Sequence, residues 1–300
     1  MLFQASYNHF IHLVVCYVFR RRFYKKRVFD YFMWLDLTDP GISRTLMLFG
    51  ERELDHKWLL EAVCKRDMHV LDIGANIGYY VLMESKLIGS GGRIFAVEPS
   101  AQNFRLLERN LRLNKVDHQV DLNQVAVSNE TGTKTFFLSN MSNLNTFHVD
   151  HVSSEQLQDY HPVEVSTITV HDIYDRCGRF DLIRMDVEGH EVEILDNVLE
   201  LIAENLVRPI VIFETHLSRY GPTSKFQQIL QNYVDVGYKF RFVSSSSLSG
   251  SDELEKRGYR KLTEIKTDEY IRGIFENIDV DDACGMITQL GGIRTVVMAP

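Results

Sequence analysis

An α/β fold, a mainly parallel sheet with helices on both faces, is predicted by three features of the sequence. Short apolar runs alternate with helical patterns between residues 67 and 243, a glycine-rich turn links the first run to the first helix, and acidic residues close several runs. Such alternation builds right-handed βαβ crossovers, and ligands of these sheets bind outside the carboxyl ends of the strands.

In chain order, Met68 to Ile73 reads as a strand, Gly74 to Gly78 as a turn, and Tyr79 to Ile88 as a helix. Arg93 to Val97 is the next strand. Ala101 to Asn114 is helical because Phe104, Leu107 and Leu111 recur on one face. Val120 to Val127 and Lys134 to Leu138 read as strands, Phe180 to Met185 as a buried strand, His190 to Ala203 as a helix and Ile210 to Glu214 as a strand. Lys225 to Val236 and Lys239 to Val243 continue the alternation. Around this core, residues 1–66 read as a helical, irregular extension with a basic segment. Residues 244–300 read as a polar extension that begins in a mobile serine tract, Ser244 to Ser251, and ends in the strand-like IRTVVM.

With 45% hydrophobic and 25% charged residues the chain has a globular composition. A net charge of −8 argues against sequence-blind nucleic-acid binding, which requires a basic surface to displace counterions. Cys16, Cys64, Cys177 and Cys284 are scattered, without zinc-site spacing, as expected of reduced thiols in a cytoplasmic protein. The apolar run from Phe10 to Phe19 has half of the roughly 20 residues a membrane span requires. Basic residues follow it (Arg20, Arg21, Arg22, Lys25, Lys26, Arg27), the reverse of a secretory signal. Two readings stand: a docked amphipathic helix with a solvated basic end, or peripheral membrane contact through residues 10–27 on an anionic surface.

The segment Asp72-Ile-Gly74-Ala-Asn76-Ile-Gly78 excludes two ligand classes by its spacing. A dinucleotide fingerprint places glycines where Asn76 and Tyr79 stand, and a P-loop places Gly-Lys-Ser/Thr where Tyr79, Tyr80 and Val81 stand. An acidic strand end followed by glycines at +2 and +6 suits a ligand without pyrophosphate, whose charged amino-acid and sulfonium portion lies against a carboxylate and bare backbone. Glu98 ends the second strand, where a carboxylate accepts both hydrogen bonds of a ribose diol.

V-L-D-I-G-A-N-I-G-Y-Y with A-V-E-P resembles the FkbM family of S-adenosyl-L-methionine-dependent methyltransferases. The likeness extends through D-P-G-I-S-R-T-L-M-L-F-G-E-R-E (39–53), N-F-R-L-L-E-R-N-L-R-L-N (103–114), A-V-S-N (126–129) and D-L-I-R-M-D-V-E-G-H-E (181–191). Asn129 stands where aspartate is common, and nothing after Gly221 is matched. The resemblance implies a class I methyltransferase-like (Rossmann-like) fold, S-adenosyl-L-methionine as cofactor, and O-methylation of a small molecule, sugar or glycan. The cofactor-binding candidates are Asp72, Gly74, Asn76, Gly78 and Glu98, with Gln124 for the adenine.

Asp186, Glu188 and His190 follow the buried strand and alternate by two, so an extended chain through Gly189 would aim all three at the substrate. Glu214 ends the next strand, in F-E-T-H. Methyl transfer to a hydroxyl requires alignment and proton removal, and Asp186, Glu188, His190 and Glu214 are the candidates. No metal is expected, although chelation by Asp186 and His190 is a rival, and capping of the next helix is the structural alternative. His216 reads as structural; His148, His151 and His161 read as loop residues. Two competing functions are a nicotinamide-dependent oxidoreductase and a non-catalytic nucleoside-binding module.

Overall fold

In the computed structural model the described residues are Asn8, Val15 and 20–300 except 151, 154 and 222; at 223 and 224 only the backbone is described. The expectation for Phe10 to Phe19 therefore lies outside the described residues apart from Val15. Among the described residues no helix is long and apolar enough to cross a membrane.

The chain enters through strands β1 (Phe23–Val28) and β2 (Tyr31–Asp36) and helices α1 (Ile42–Phe49) and α2 (Leu54–Val63). Then come β3 (His69–Ile73), α3 (Tyr79–Ile88), β4 (Arg93–Val97), α4 (Ala101–Asn114), β5 (Val120–Asn123), β6 (Ala126–Val127), β7 (Gly132–Ser139) and β8 (Tyr160–Ile168). The remainder is α5 (Val170–Cys177), β9 (Leu182–Met185), α6 (Glu191–Ala203), β10 (Ile210–Glu214), α7 (Thr223–Asp235) and β11 (Lys239–Ser245). It closes with α8 (Leu248–Lys256), β12 (Lys261–Thr267), β13 (Tyr270–Ile278), α9 (Val280–Gly285) and β14 (Ile293–Ala299).

Nine strands form one sheet in the order β12-β13-β11-β14-β10-β9-β3-β4-β5. Pairing is parallel from β10 through β9, β3 and β4 to β5, and antiparallel on the β14 side. The central strands are apolar on both faces because the pleat sends successive residues to opposite layers. Leu71, Phe95, Ile183 and Val211 enter the core packed by α5, α6 and α7, whereas Val70, Ile94, Leu182 and Ile212 enter the core under α2, α3 and α4.

Several expectations are corrected. Residues 23–36 form an antiparallel hairpin rather than helix, with Arg22 bound to Asp36 at 2.7 Å. The stretch Val120 to Val127 divides into β5 of the main sheet and β6 of a separate three-stranded sheet with β8 and β7. The serine tract is not a mobile loop: Ser244 and Ser245 end β11, Ser251 lies in α8, and all three are buried. A boundary at 243/244 would cut β11, and β14, from the polar extension, lies between β10 and β11 inside the main sheet.

Candidate functional site

At the carboxyl ends of β3, β4 and β9 a cleft opens, walled by Gly74 and Asn76 of the turn, by Glu98, and by Asp186, Glu188 and His190. Local conformation explains the turn. Gly74 has φ +80°, and a Cβ there would fall 2.3 Å from the Asp186 carbonyl oxygen, so bare backbone is required where β9 passes. Asn76 has φ +49°, a region asparagine tolerates, and its Oδ1 accepts from the Ile77 N–H at 2.8 Å. Gly78, at φ +91°, packs under Leu107 as the N-cap of α3.

Glu98 is buried, and its oxygens accept from the backbone N–H groups of Asn76 (2.9 Å) and Ser100 (2.8 Å), with the Asn103 amide at 3.4 Å. Burial pushes its carboxyl up to about 7 against the pull of those donors.

Asp72 occupies a different place from the one expected. It is fully buried and absent from the cleft wall, because the β3–β9 register sets it opposite Arg184. Arg184 donates to Asp72 Oδ1 at 3.1 Å and Asp186 Oδ2 at 3.3 Å, and its guanidinium lies 4.0 Å from the Tyr80 ring centroid. Burial raises the Asp72 pKa, and Arg184 partly offsets this. The group facing the cleft above Asp72 is thus a cation, Arg184. Gln124 is exposed and outside the cleft wall, where Val97, Ala126, Val127 and Phe136 supply an apolar slot.

The acidic cluster is assembled by a turn rather than by an extended strand. β9 stops at Met185, and Glu188 and Gly189 take φ values of +52° and +108°. Asp186, Glu188 and His190 nevertheless line the same cleft. Glu188 pairs with Arg219 Nε at 3.1 Å, and burial raises its pKa against the pull of His216. His190 packs tilted against Phe147, with ring centroids 4.6 Å apart, and burial lowers its pKa to about 3, so the ring is neutral at physiological pH. Glu214 lies outside the wall, accepting from Arg294 Nη2 at 2.7 Å; burial pushes it up to about 8.

His216 is the hub that the sequence left as structural. Its Nδ1 meets Glu191 Oε1 at 2.9 Å, and its Nε2 faces Asp186, Glu188 and Glu214 at 3.6, 3.7 and 3.8 Å. Burial opposes its charge, but Glu188, Glu191 and Glu214 together hold its pKa well above the ordinary histidine range. Glu191 also accepts from the Val187 and Gly189 N–H groups, fastening the turn. Of the three histidines read as loop residues, His148 lies in the connection after β7 and faces His190, His161 lies within strand β8, and His151 is outside the described residues.

Other wall residues come from segments without an assigned role. Arg52 and Glu53 precede α2, and Ser142, Asn143, Asn145 and Phe147 follow β7. Asp39 joins the two, accepting from the Ser142 N–H (3.1 Å) and hydroxyl (2.9 Å). The motif over 39–53 had marked this region, but no local pattern shows which distant loop it holds.

A methyltransferase FkbM domain model matches residues 72–240, more than half of the chain. The chain belongs to the FkbM methyltransferase family. Its fold is the class I methyltransferase-like, Rossmann-like α/β arrangement. A crystal structure of the methyltransferase FkbM from Methylobacillus flagellatus KT aligns with a TM-score of 0.42 at 16% identity. The alignment takes in 78% of this chain and 52% of that one, so this FkbM chain spans about half the length of that structure. The precorrin-6y C5,15-methyltransferase of Geobacter metallireducens GS-15 aligns with a TM-score of 0.40 at 14% identity, over 82% of this chain and 89% of that one. The SAM-dependent O-methyltransferase of Thermotoga maritima aligns with a TM-score of 0.40 at 12% identity, over 92% and 76%. No protein of curated function matches this FkbM chain.

Proposed function

We propose that this FkbM-family protein is an S-adenosyl-L-methionine-dependent O-methyltransferase acting on a hydroxyl of a small molecule, sugar or glycan. The observation that carries the reading is a single cleft that joins the Gly74–Gly78 turn and Glu98 to Asp186, Glu188 and His190.

The residues present fit the cofactor. A carboxylate has about four acceptor sites; three on Glu98 are taken, the Asn103 contact being long at 3.4 Å. A ribose diol finds one free site and gains a second if the Asn103 amide turns away. The slot formed by Val97, Ala126, Val127 and Phe136 suits adenine, and Arg184, rather than Asp72, suits the carboxylate of the amino-acid portion. When bound, the cofactor supplies an electrophilic methyl group. The chain's part is to exclude water, hold the acceptor hydroxyl in line and take its proton. We assign the proton to Asp186, the most open carboxylate of the cluster, with 24% side-chain exposure against 13% for Glu188. Arg184 and His216 hold the Asp186 carboxylate in place.

Calorimetry with S-adenosylhomocysteine and NAD, followed by labelled-methyl transfer to a panel of hydroxylated sugars and lipids, tests the reading. Binding of NAD in place of S-adenosylhomocysteine overturns it in favour of an oxidoreductase; binding without turnover across the panel assigns a non-catalytic module.

Glu98→Ala is expected to weaken S-adenosylhomocysteine binding by about 1.5–3 kcal/mol, the value of a charge-assisted hydrogen bond. Unchanged calorimetric affinity in the folded variant removes the ribose role. Because the carboxyl titrates at about 7, wild-type affinity should rise with pH through that value, as the better acceptor, the carboxylate, forms. Glu98→Gln should abolish that dependence. The stability sign is opposite: a folded pKa above the ordinary 4.5 means that the native state binds the extra proton, so this contribution to stability falls as pH rises from about 4.5 to 7.

The proposed acceptor is not nucleic acid, and the apolar and basic stretch over residues 10–27 is proposed to rest on an anionic membrane face of the cytoplasm. Removal of residues 1–27 would strip β1 from β2, so the informative truncation ends at Arg21. That truncation should lose flotation with anionic liposomes yet keep S-adenosylhomocysteine binding; equal flotation of both chains ends the membrane reading.

A further inference from the structure

Three metal-ligating atoms, one of them on the wall residue His190, converge beside the cleft and have no part in the proton transfer assigned to Asp186. His148 Nε2 lies 3.0 Å from His190 Nδ1, which lies 3.5 Å from Glu193 Oε2; all three atoms fall within 4.8 Å of one another. His148 belongs to the connection between β7 and β8, whereas His190 and Glu193 stand at the start of α6.

The surrounding hydrogen bonds accommodate a His190 ring protonated on Nε2. Lys134 Nζ, which can only donate, reaches Ser128 Oγ at 3.0 Å and Asn129 Oδ1 at 2.7 Å. Ser128 Oγ lies 3.1 Å from Asn129 Oδ1, to which it can give its own proton. Its remaining lone pair can then accept from His190 Nε2–H, the two heavy atoms being 3.0 Å apart. In this arrangement the His190 ring presents a bare Nδ1 toward His148 and Glu193. Glu193 Oε2 is buried without any hydrogen-bond partner. A His148 Nε2–H bond would satisfy Nδ1 but leave the carboxylate oxygen alone, whereas one cation satisfies all three donors of electron pairs.

We propose that His148 Nε2, His190 Nδ1 and Glu193 Oε2 form a binding site for a divalent transition ion of the zinc class. Two imidazoles and one carboxylate are a three-ligand set that leaves zinc a fourth position for water. Imidazole ligands favour such ions over magnesium or calcium. Ligands about 2.0–2.2 Å from a shared ion stand roughly 3.0–3.5 Å apart, the spacing of the His148–His190 and His190–Glu193 pairs. Ser128 is the outer-shell partner that orients His190. The ion fastens the segment carrying Ser142, Asn145 and Phe147, part of the cleft wall, to the start of α6. Asp186, Glu188 and His216 also approach one another, but Arg184, Arg219 and the Glu191–His216 bond already supply their counter-charges.

The test is zinc titration of the chelator-stripped full chain against a chromophoric competitor, with metal content measured by mass spectrometry. Wild type should take up one zinc per chain. His148→Ala and Glu193→Gln should each weaken binding at least as much as the about 10- to 100-fold typical of outer-shell changes, and Ser128→Ala within that range. Glu188→Gln should bind as wild type does. Stripped variants should melt where stripped wild type melts, and zinc should raise the melting temperature of wild type alone. Absence of zinc uptake by wild type, wild-type affinity in both His148→Ala and Glu193→Gln, or a loss confined to Glu188→Gln overturns the site. These readouts do not depend on methyl transfer.

Discussion

Asp186→Asn is expected to lower the rate of methyl transfer by about 10²- to 10⁴-fold, the usual contribution of a general base. S-Adenosylhomocysteine affinity should change little. The amide keeps the shape of the carboxylate, and its oxygen can still accept from Arg184 Nη2, now 3.3 Å away, so Arg184 stays on Asp72 and Tyr80. What disappears is the capacity to take a proton from the acceptor. The loss should therefore fall on kcat rather than on KM, as for an interaction made only in the transition state. Zinc stoichiometry should be unaltered, because Asp186 is not among the ligands His148, His190 and Glu193. A variant within about twofold of wild type would move the base to Glu188, the neighbouring carboxylate in the cleft wall.

The Asp186 cluster also shows what the sequence could disclose and where it stopped. Strands β3, β4, β9 and β10 were legible because each is a short apolar run ending at a turn or an acidic residue, and α3 and α4 because their apolar positions or caps are local signals. The hairpin of β1 and β2 was not. FYKKRV and YFMWLD carry charge and aromatics without clean alternation, and their pairing is a tertiary decision. Likewise β12 places Leu262 on the surface at 39% exposure, so its apolar residues do not mark a buried face.

At the site, Glu98, Gly74 and the acidic trio were visible from strand ends and turn spacing. Arg184 was passed over as one letter in the apolar LIRM, although an arginine in a central strand is itself a signal that a carboxylate stands on a neighbouring strand. His216 was undervalued because three of its acidic neighbours come from the turn after β9 and the start of α6, which only the fold brings to the end of β10.

A pair still farther apart in the chain should have the largest effect on stability. Arg272→Met is expected to destabilise the fold by about 3–5 kcal/mol, the cost of leaving one partner of a buried ion pair alone. Arg272 Nη1 meets both oxygens of Asp55 at 3.2 Å across 217 positions of sequence. The side chains are 3% and 0% exposed, and Ser244 Oγ donates to the same carboxylate at 2.5 Å. These contacts tie α2 of the N-terminal region to β13 and β11, so their loss loosens the far edge of the sheet. For a domain of this size the deficit corresponds to a fall in Tm of roughly 6–10 °C. Methionine keeps most of the packing volume, which isolates the orphaned Asp55 charge as the cause. The double variant Asp55→Asn/Arg272→Met should then recover part of the loss, since an amide without a counter-ion is cheaper to bury than a carboxylate. Neither residue lines the cleft, so S-adenosylhomocysteine affinity should persist in the folded fraction. A loss below about 1 kcal/mol, the scale of an exposed ion pair, would mean that water reaches Asp55 and that the tie rests on Ser244 and the surrounding apolar packing instead.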